Sequence, residues 1–131
     1  MALTKVPTSL IGAGAVLQVV QSVFSGSVVT SNSSTPVDSG LGATITPSST
    51  SSKILVLCNP NWSVNSAGSN NGTAIGYIYR NGTSVYIMYN RNYNYNNSSG
   101  IYHNVPASLV FLDSPGTTSA VTYKFYFALL T

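Results

Sequence analysis

Carboxylates, imidazoles and thiols, the groups that most often do acid–base or metal chemistry, are scarce in this 131-residue chain. There is no glutamate, and the whole set is Asp38, Asp113, His103 and Cys58. A glycosidase needs two carboxyl groups that converge at roughly 5 to 9.5 Å, but each aspartate stands in a turn-like stretch, where Asp commonly bonds its own backbone. A Ser-His-Asp triad would depend on His103, which has no nucleophile-elbow motif beside any serine. We therefore predict that the protein is not an enzyme.

The spacing of these residues also differs from that of metal ligands, which recur at short intervals along a chain. We expect no bound metal and no cofactor. Cys58 ends the apolar run of residues 54–58 and, as the single cysteine, has no partner for an internal disulfide. It is expected to behave as a small buried hydrophobe.

A stretch rich in Asn and Tyr, residues 90–104, is the strongest candidate for a binding site. It contains Arg91, Tyr93, Tyr95, Tyr102 and His103. Rigid tyrosine rings among Asn, Ser and Gly are typical of antibody loops, and such a surface suits neutral glycans, which stack on rings and bond amides and hydroxyls. Trp62, in a second polar loop, is a weaker candidate contact. The alternatives are that the tyrosines pack on the same subunit or a neighbour, and that Trp62 plugs the end of a sandwich.

The hairpin of residues 74–89 is the element on which the other strands are expected to pack. Its turn is Asn81-Gly82, the pair that best tolerates the positive φ values of a type I′ turn. Counting outward places Tyr77 opposite Tyr86. One face is then predicted to carry Ala74, Gly76, Ile78, Val85, Ile87 and Tyr89, and the other Ile75, Tyr77, Tyr79, Tyr86 and Met88. Because both faces are largely apolar, the hairpin needs a second sheet on one side and another element or subunit on the other.

Further strands are predicted at residues 15–23, 43–46, 53–58, 107–112 and 119–130, and no segment has a helical pattern. We expect 15–23 to be covered on both sides and 53–58 to be central in a sheet. Turns are predicted at 38–40 and 113–116, and a long loop at 59–73. The last strand has the cleanest core stripe, formed by Val121, Tyr123, Phe125, Phe127 and Leu129.

This pattern predicts an all-β fold: an antiparallel β-sandwich or jelly-roll-like single domain over residues 15–131, after an N-terminal arm of residues 1–14. Only 5% of the residues are charged, which leaves few charges to protect exposed strand edges and favours burial of those edges in an oligomer. The five cations are scattered singly, which argues against nucleic-acid binding. Residues 10–24 are too short and too polar to insert across a membrane.

Three stretches resemble a family of small structural proteins of tailed bacteriophages, often described as tail-fibre or virion proteins. They are residues 14–21 (GAVLQVVQ), 40–56 (GLGATITPSSTSSKILV) and 112–124 (LDSPGTTSAVTYK). The opening residues 1–7 (MALTKVP) are also similar to the start of several phage tail proteins, in which such an arm attaches to the virion. The resemblance implies a virion component, often trimeric, and carries no catalytic motif to this chain.

Together, residues and resemblance predict a homotrimeric virion protein of the tail-fibre kind that is assembled in the host cytoplasm. Residues 1–14 are expected to contact other virion proteins, and the Tyr/Asn-rich loops to contact a host surface polysaccharide. The first alternative is a capsid decoration protein that holds neighbouring capsomers. The second alternative, from another class, is a polysaccharide depolymerase.

Overall fold

The computed structural model of the protein describes residues 15–26, 29, 32–66, 73–91 and 101–130, with their side chains except at 64–66, 91, 101–106 and 130. The strands within these ranges are β1 (Val37–Ile45), β2 (Ile54–Cys58), β3 (Asn61–Ser66), β4 (Thr73–Arg80), β5 (Thr83–Arg91), β6 (Ile101–Pro106), β7 (Leu109–Asp113) and β8 (Val121–Leu130). The described residues contain no helix, and so none long and apolar enough to cross a membrane. The predicted all-β class is confirmed; the predicted arm of residues 1–14 lies outside the described residues.

The strands pair in a nested order, first with last and inward from there. β1 pairs with β8, β2 with β7, β3 with β6 and β4 with β5, all antiparallel. β4 also pairs with β8, which joins the outermost and innermost pairs into one four-stranded sheet of order β1-β8-β4-β5. This is the pattern of a long hairpin that folds over on itself, and this nested pairing is jelly-roll-like, although the strands form one four-stranded and two two-stranded sheets. The prediction of an antiparallel all-β fold is confirmed.

The other two pairs form one bent two-stranded ribbon that packs on the four-stranded sheet. Asn59 and Pro60 link β2 to β3 on one side, and Ala107 and Ser108 link β6 to β7 on the other. The two links are themselves joined, because Ala107 N donates to Pro60 O at 3.4 Å. Pro60 has no N–H to continue the ladder, so the pairing is interrupted and the ribbon bends there. We call β2, β3, β6 and β7 together the bent ribbon.

The core lies between the four-stranded sheet and the bent ribbon. Ile78 of β4, Leu109 of β7 and Val121 of β8 are its largest fully buried side chains, at 2%, 0% and 1% exposure. The stripe predicted on β8 faces this core: Val121, Tyr123 and Phe125 are buried, and its last two members are half-buried. Burying a side chain such as Phe125 stabilises the fold by about 1.5 to 3 kcal/mol.

The hairpin turn between β4 and β5 has the conformation that its sequence predicts. Asn81 has φ 48° and Gly82 has φ 86°, as a type I′ turn requires. Tyr79 pairs with Ser84 next to the turn, as expected. The type I′ turn is therefore confirmed.

Beyond the turn the predicted register is wrong by one residue. A bulge leaves Val85 unpaired, so that Ile78 pairs with Tyr86 and Tyr77 pairs with Ile87. Because a one-residue slip moves every following side chain to the opposite face, β5 presents the reverse of the predicted faces. Tyr86 and Met88 point toward the core, and Ile87 and Tyr89 point outward. The ring of Tyr86 stacks on that of Phe111 with 5.1 Å between centroids.

Two of the predicted strands have different surroundings from those expected. Residues 15–23 form no strand, and their large apolar side chains are 40% to 82% exposed, because no strand in the described ranges pairs its backbone with them. The segment predicted to be central in a sheet, β2, pairs with β7 alone among described strands. Its alternate residues Leu55 and Leu57 are exposed. A continuous aliphatic run therefore did not mean a strand covered on both sides.

Local sequence signals also missed β3, β6 and the first part of β1. β3 lies within the stretch predicted as a loop, and the turn predicted at 38–40 is a bulge inside β1, where Gly40 has φ 81°. β3 is held by backbone pairing with β6, which apolar periodicity does not report. The turn after β7 is placed as predicted, with positive φ at Gly116.

Candidate functional site

The outer face of the four-stranded sheet carries a group of tyrosines. Because Tyr123 and Phe125 of β8 point toward the core, Lys124 and Tyr126 point outward. On β4 the same alternation turns Tyr77 outward. The outward tyrosines of β4, β5 and β8 are Tyr77, Tyr79, Tyr89 and Tyr126, and we call them the tyrosine face.

Three of these rings are in mutual contact. Tyr77 and Tyr126 are paired residues of β4 and β8. The centroids of Tyr79 and Tyr126 are 4.3 Å apart with 34° between the planes, and those of Tyr77 and Tyr79 are 6.1 Å apart at 62°. The face is therefore a packed aromatic surface. The phenol of Tyr126 is hydrogen-bonded to Asp38, and Ile75 and Ala128, on the same side of the sheet, are only 6% and 3% exposed.

A shallow cleft of about 310 Å³ opens at the end of this face, where the hairpin turn meets β8. It is lined by Tyr79, Asn81, Gly82, Thr122, Lys124 and Tyr126. Asn81 is fixed from both sides, since its N donates to Thr122 O at 3.0 Å and its Oδ1 accepts from Thr122 N at 2.9 Å. Its Nδ2 donates to none of the described residues, which leaves an oriented amide donor beside the tyrosine rings.

The charged groups of this face neutralise one another. Lys124 Nζ lies 2.8 Å from Asp38 Oδ2, and Asp38 Oδ1 accepts from Gly40 N at 2.9 Å. Partial burial raises the pKa of Asp38, but the hydrogen bonds from Lys124 and Gly40 outweigh it, and the pKa lies below its usual range. The same bond raises the pKa of Lys124. Burial, with neighbouring Tyr89 and Tyr79, raises the pKa of Tyr77, so the tyrosine face is neutral near pH 7 and suits an uncharged polar ligand.

The second carboxylate lies on the other side of the sheet. Asp113 accepts from Tyr123 Oη at 2.5 Å and from Arg80 Nη1 at 2.9 Å. Burial raises the pKa of Asp113. The hydrogen bonds from Tyr123, Arg80 and the Ser114 N–H lower it by more, so that the pKa lies below its ordinary value. Since consecutive residues of β8 point to opposite sides, the partners of Asp113 and of Asp38 face in opposite directions. The two carboxylates do not converge on one site.

Side chains that ligate metals are likewise not gathered together in the parts of the chain that the structure describes. No group of three or more His, Cys, Asp or Glu residues occurs there. Cys58 faces the core side of the bent ribbon, and burial raises the pKa of its thiol to about 11, so it stays protonated.

Of the residues that the sequence singled out for binding, Trp62 is the one whose side chain the structure describes, and it lies away from the tyrosine face. Trp62 packs edge-on against Phe125 with 5.6 Å between centroids, inside the sandwich, and its buried Nε1 has no partner among the described residues. Arg91 ends β5, opposite Thr73. Tyr102 and His103 belong to β6 and pair with Asn65 and Val64. Tyr93 and Tyr95 lie outside the described residues.

Sequence reasoning missed the tyrosine face because it treated the outward side of β4 as uniformly apolar. Ile75 on that side is buried, as a covered strand requires, whereas Tyr77 and Tyr79 are half-buried. A signal was present in the alternation Tyr77-Ile78-Tyr79. Every second residue there has a polar tip on an apolar body, which is typical of a wet, ligand-accessible sheet face. Tyr126 gave no local signal, since it stands in an aromatic run whose other members enter the core.

Comparisons of the chain with protein-family models, with curated proteins and with solved structures found no match. The resemblance to phage structural proteins therefore rests on the residues quoted above. The geometry of the tyrosine face is an independent basis for a functional proposal.

Proposed function

We propose that this protein is a non-enzymatic structural component of a bacteriophage particle, of the tail-fibre kind, that binds a neutral glycan of the host surface. The observation that carries the binding part is the contact of Tyr77, Tyr79 and Tyr126 beside the oriented amide of Asn81. The virion part is supported by the resemblance of residues 14–21, 40–56 and 112–124 to phage structural proteins. A homotrimer, with residues 1–14 on other virion proteins, belongs to the same proposal.

A sugar fits this surface because its two kinds of groups meet matching partners. The C–H face of a pyranose ring packs on the tyrosine rings, while its hydroxyls bond the phenol groups and the Asn81 Nδ2. Lys124 and Asp38 are paired with each other, so neither presents an uncompensated charge to an anionic ligand.

One such site is expected to bind weakly, and several sites together strongly. A few aromatic contacts and hydrogen bonds correspond to a Kd on the order of 1 mM, about −4.1 kcal/mol. Linked copies on one particle raise the effective affinity by roughly 10² to 10⁴ without any new contact. A multivalent virion component is therefore the setting in which a shallow site of this kind is effective.

The Tyr/Asn-rich stretch remains part of the proposal as a second contact with the same glycan. Arg91 lies two residues beyond Tyr89 on β5, so the strand leads from the tyrosine face into the stretch with Tyr93 and Tyr95. Tyr102 and His103 follow on β6. In this arrangement the sheet face provides the stacking surface, and the loop extends the contact along the polysaccharide.

Binding to an array of neutral bacterial surface oligosaccharides tests the glycan part. The purified protein is expected to bind a subset of them, and the double variant Tyr79→Ala, Tyr126→Ala to lose that binding. Ser108→Ala, at an exposed position of the link between β6 and β7 in the other layer, is the matched control and retains it. The double variant Tyr93→Ala, Tyr95→Ala measures how much the Tyr/Asn-rich stretch contributes to glycan binding. Full binding by the Tyr79, Tyr126 variant, with its β-sheet circular dichroism intact, would remove the tyrosine face from the proposal.

Location on the particle tests the virion part. Cryo-microscopy density is expected at the tail, whereas density over the head lattice would favour a capsid decoration protein. Absence from purified particles would contradict both. Release of reducing ends from an envelope polysaccharide, abolished in Asp113→Asn, would contradict the non-enzymatic assignment and favour a depolymerase.

A further inference from the structure

The outward side of the bent ribbon is a compact aliphatic surface. Leu55 and Leu57 of β2 alternate with the core residues of that strand, and Val110 and Leu112 of β7 do the same. Leu55 pairs with Leu112 and Leu57 with Val110, so the four side chains lie in two adjacent rows. All four are 54% to 64% exposed. We call them the aliphatic quartet.

Residues 15–24, the apolar segment, extend this surface. Val20 lines a groove together with Leu55 and Leu57, which places the apolar segment beside the quartet. The ring of Phe24 lies over Gly40 of β1, where a Cβ would come within 2.9 Å of its Cε2. Val20 and Phe24 are only 40% and 41% exposed, whereas Val19 and Val23 are 82% and 74% exposed. One side of the apolar segment therefore rests on the protein and the other continues the exposed aliphatic surface.

We propose that this continuous surface, the aliphatic quartet with the outward side of the apolar segment, is covered by a second copy of the same chain. This proposal rests on the self-association that belongs to the proposed function and identifies the surface through which the copies contact one another. It does not depend on glycan binding. At about 60 to 120 Å² for each fully exposed aliphatic side chain, the exposed fractions of the quartet, Val19 and Val23 amount to roughly 240 to 470 Å² of apolar area.

The upper end of that area reaches what a stable association needs. A standard interface takes about 800 Å² from each partner, of which about 56 to 65% is apolar, or roughly 450 to 520 Å². The largest contiguous apolar patch of an isolated monomer is roughly 300 to 600 Å² and often functional. The exposed aliphatic surface is thus comparable to the largest patch of a monomer and, at its upper end, supplies the apolar share of one side of an interface.

The charges of the chain favour a copy of itself over other partners. The surface has no charged side chain, and Asp38 and Asp113 are both held in ion pairs elsewhere. A protein surface that binds anionic lipids carries clustered cations. Beside β2, however, Lys53 is a single cation, and it donates a hydrogen bond to Ser114. An uncharged aliphatic surface is instead covered by another apolar surface, and a second copy of the chain brings one of the same composition.

Sedimentation equilibrium of the full chain and of paired variants tests the proposal. The wild-type chain is expected to be oligomeric at about 100 μM. Leu57→Asp with Leu112→Asp is expected to raise the dissociation constant roughly 100-fold or more, since charges are placed where two aliphatic side chains are buried. The matched control is Ser84→Asp, at an exposed position of β5 in the four-stranded sheet, which leaves association unchanged.

A second double variant keeps the test decisive if the Leu57→Asp, Leu112→Asp variant misfolds. Val19→Asp with Val23→Asp lies outside every strand, so it leaves the sheets intact and is expected to dissociate the oligomer as well. A monomeric wild-type chain, or unchanged association in the Val19, Val23 variant, would overturn the proposal. Dissociation by Ser84→Asp but not by the quartet variant would overturn it too, by placing the contact on the other sheet.

The association experiment and the glycan-binding experiment can fail independently of each other. A dissociated quartet variant is expected to keep its binding to a single oligosaccharide in solution and to lose only the multivalent gain on a dense array. If the wild-type chain binds no oligosaccharide in solution, the glycan proposal is contradicted, whereas the proposed contact between copies is not affected.

Discussion

The tyrosine face and the aliphatic quartet are built on the same backbone pattern and have opposite chemistry. Each consists of alternate residues of neighbouring antiparallel strands, whose intervening residues face the core. The tyrosine face also adjoins Ile75 and Ala128, which lie on the same side of the sheet and are only 6% and 3% exposed. On the four-stranded sheet the outward positions carry phenols beside the Lys124–Asp38 pair. On β2 and β7 of the bent ribbon they carry leucine and valine alone.

The difference shows that strand alternation decides which residues are outside, and side-chain chemistry decides what the outside is for. Phenols can be left in water or can bond a ligand, because each combines an apolar ring with a hydroxyl that forms hydrogen bonds in either setting. Four aliphatic side chains have no such option, and their free energy falls only when another apolar surface covers them. One sandwich can thus present a wet surface on one sheet and a dry contact on the other.

The largest effect is expected in the core that separates the two faces. Phe125→Ala removes a ring that contacts Trp62 and Gly76, and we expect it to destabilise the fold by about 3 to 5 kcal/mol. Because both faces share this core, we expect the variant either to unfold in a single urea transition, in which both faces are lost together, or to show no transition because it is already unfolded. Phe125→Leu, which keeps most of the volume, is the control. A Phe125→Ala protein that melts within a degree or two of the parent would contradict the shared core.

The two ion pairs allow the inner and outer sides to be compared by pH. The folded pKa of Asp113 lies below its ordinary value, so its contribution to stability is complete above the unfolded pKa of about 3.9 and is lost as pH falls through the lower folded value.

We therefore expect Asp113→Asn to cost about 1 to 3 kcal/mol at pH 7, because two charge-assisted bonds are lost, and to flatten the acid limb of stability. Asp38→Asn, at the more exposed pair, is the control and should change stability less. Urea unfolding from pH 2 to 7 measures both. Equal effects of the two substitutions would show that the inner pair is no better shielded from solvent than the outer one.

A smaller effect is expected at the hairpin turn that borders the cleft. Gly82 has φ 86° and open space around the position of a Cβ, so Gly82→Ala introduces backbone strain but no clash. We expect a loss of about 1 kcal/mol, measured by thermal unfolding, together with weaker glycan binding because Asn81 shifts. Ser84→Ala nearby is the control. An unchanged melting temperature would show that the turn can relax to negative φ.

The sequence was sufficient for the parts of the fold that local chemistry decides. Asn81-Gly82 defined the turn, and the stripe from Val121 to Phe125 defined the core strand, because positive φ and period-two burial are local properties. The all-β class followed from the same signals. β3 was missed because its pairing with β6 is a long-range property of the backbone.

The candidate site was less predictable, since it depends on one residue. Without the bulge at Val85, Tyr86 would stand on the outer face and Tyr89 would turn toward the core. A bulge leaves no mark in apolar periodicity, so the sequence predicted the wrong face of β5. The tyrosine face also combines β4 with β8, whose pairing joins residues that are far apart in the chain. Composition alone directed attention to the Asn-rich stretch instead.

The smallest expected effect isolates the phenol group, which is what distinguishes the tyrosine face from the aliphatic quartet. Tyr79→Phe keeps the ring that contacts Tyr126 and Tyr77 but removes the hydroxyl. We expect stability to change by less than about 0.5 kcal/mol and the affinity for a neutral oligosaccharide to fall roughly two- to tenfold, the value of one hydrogen bond. Tyr86→Phe, on the core side of β5, is the matched control, because its ring stacks on Phe111 away from the ligand. Titration calorimetry on both variants measures the contrast. Equal affinity in Tyr79→Phe and the wild-type chain would mean that stacking alone holds the sugar, and the outward tyrosines would then act as the aliphatic quartet does, through apolar contact.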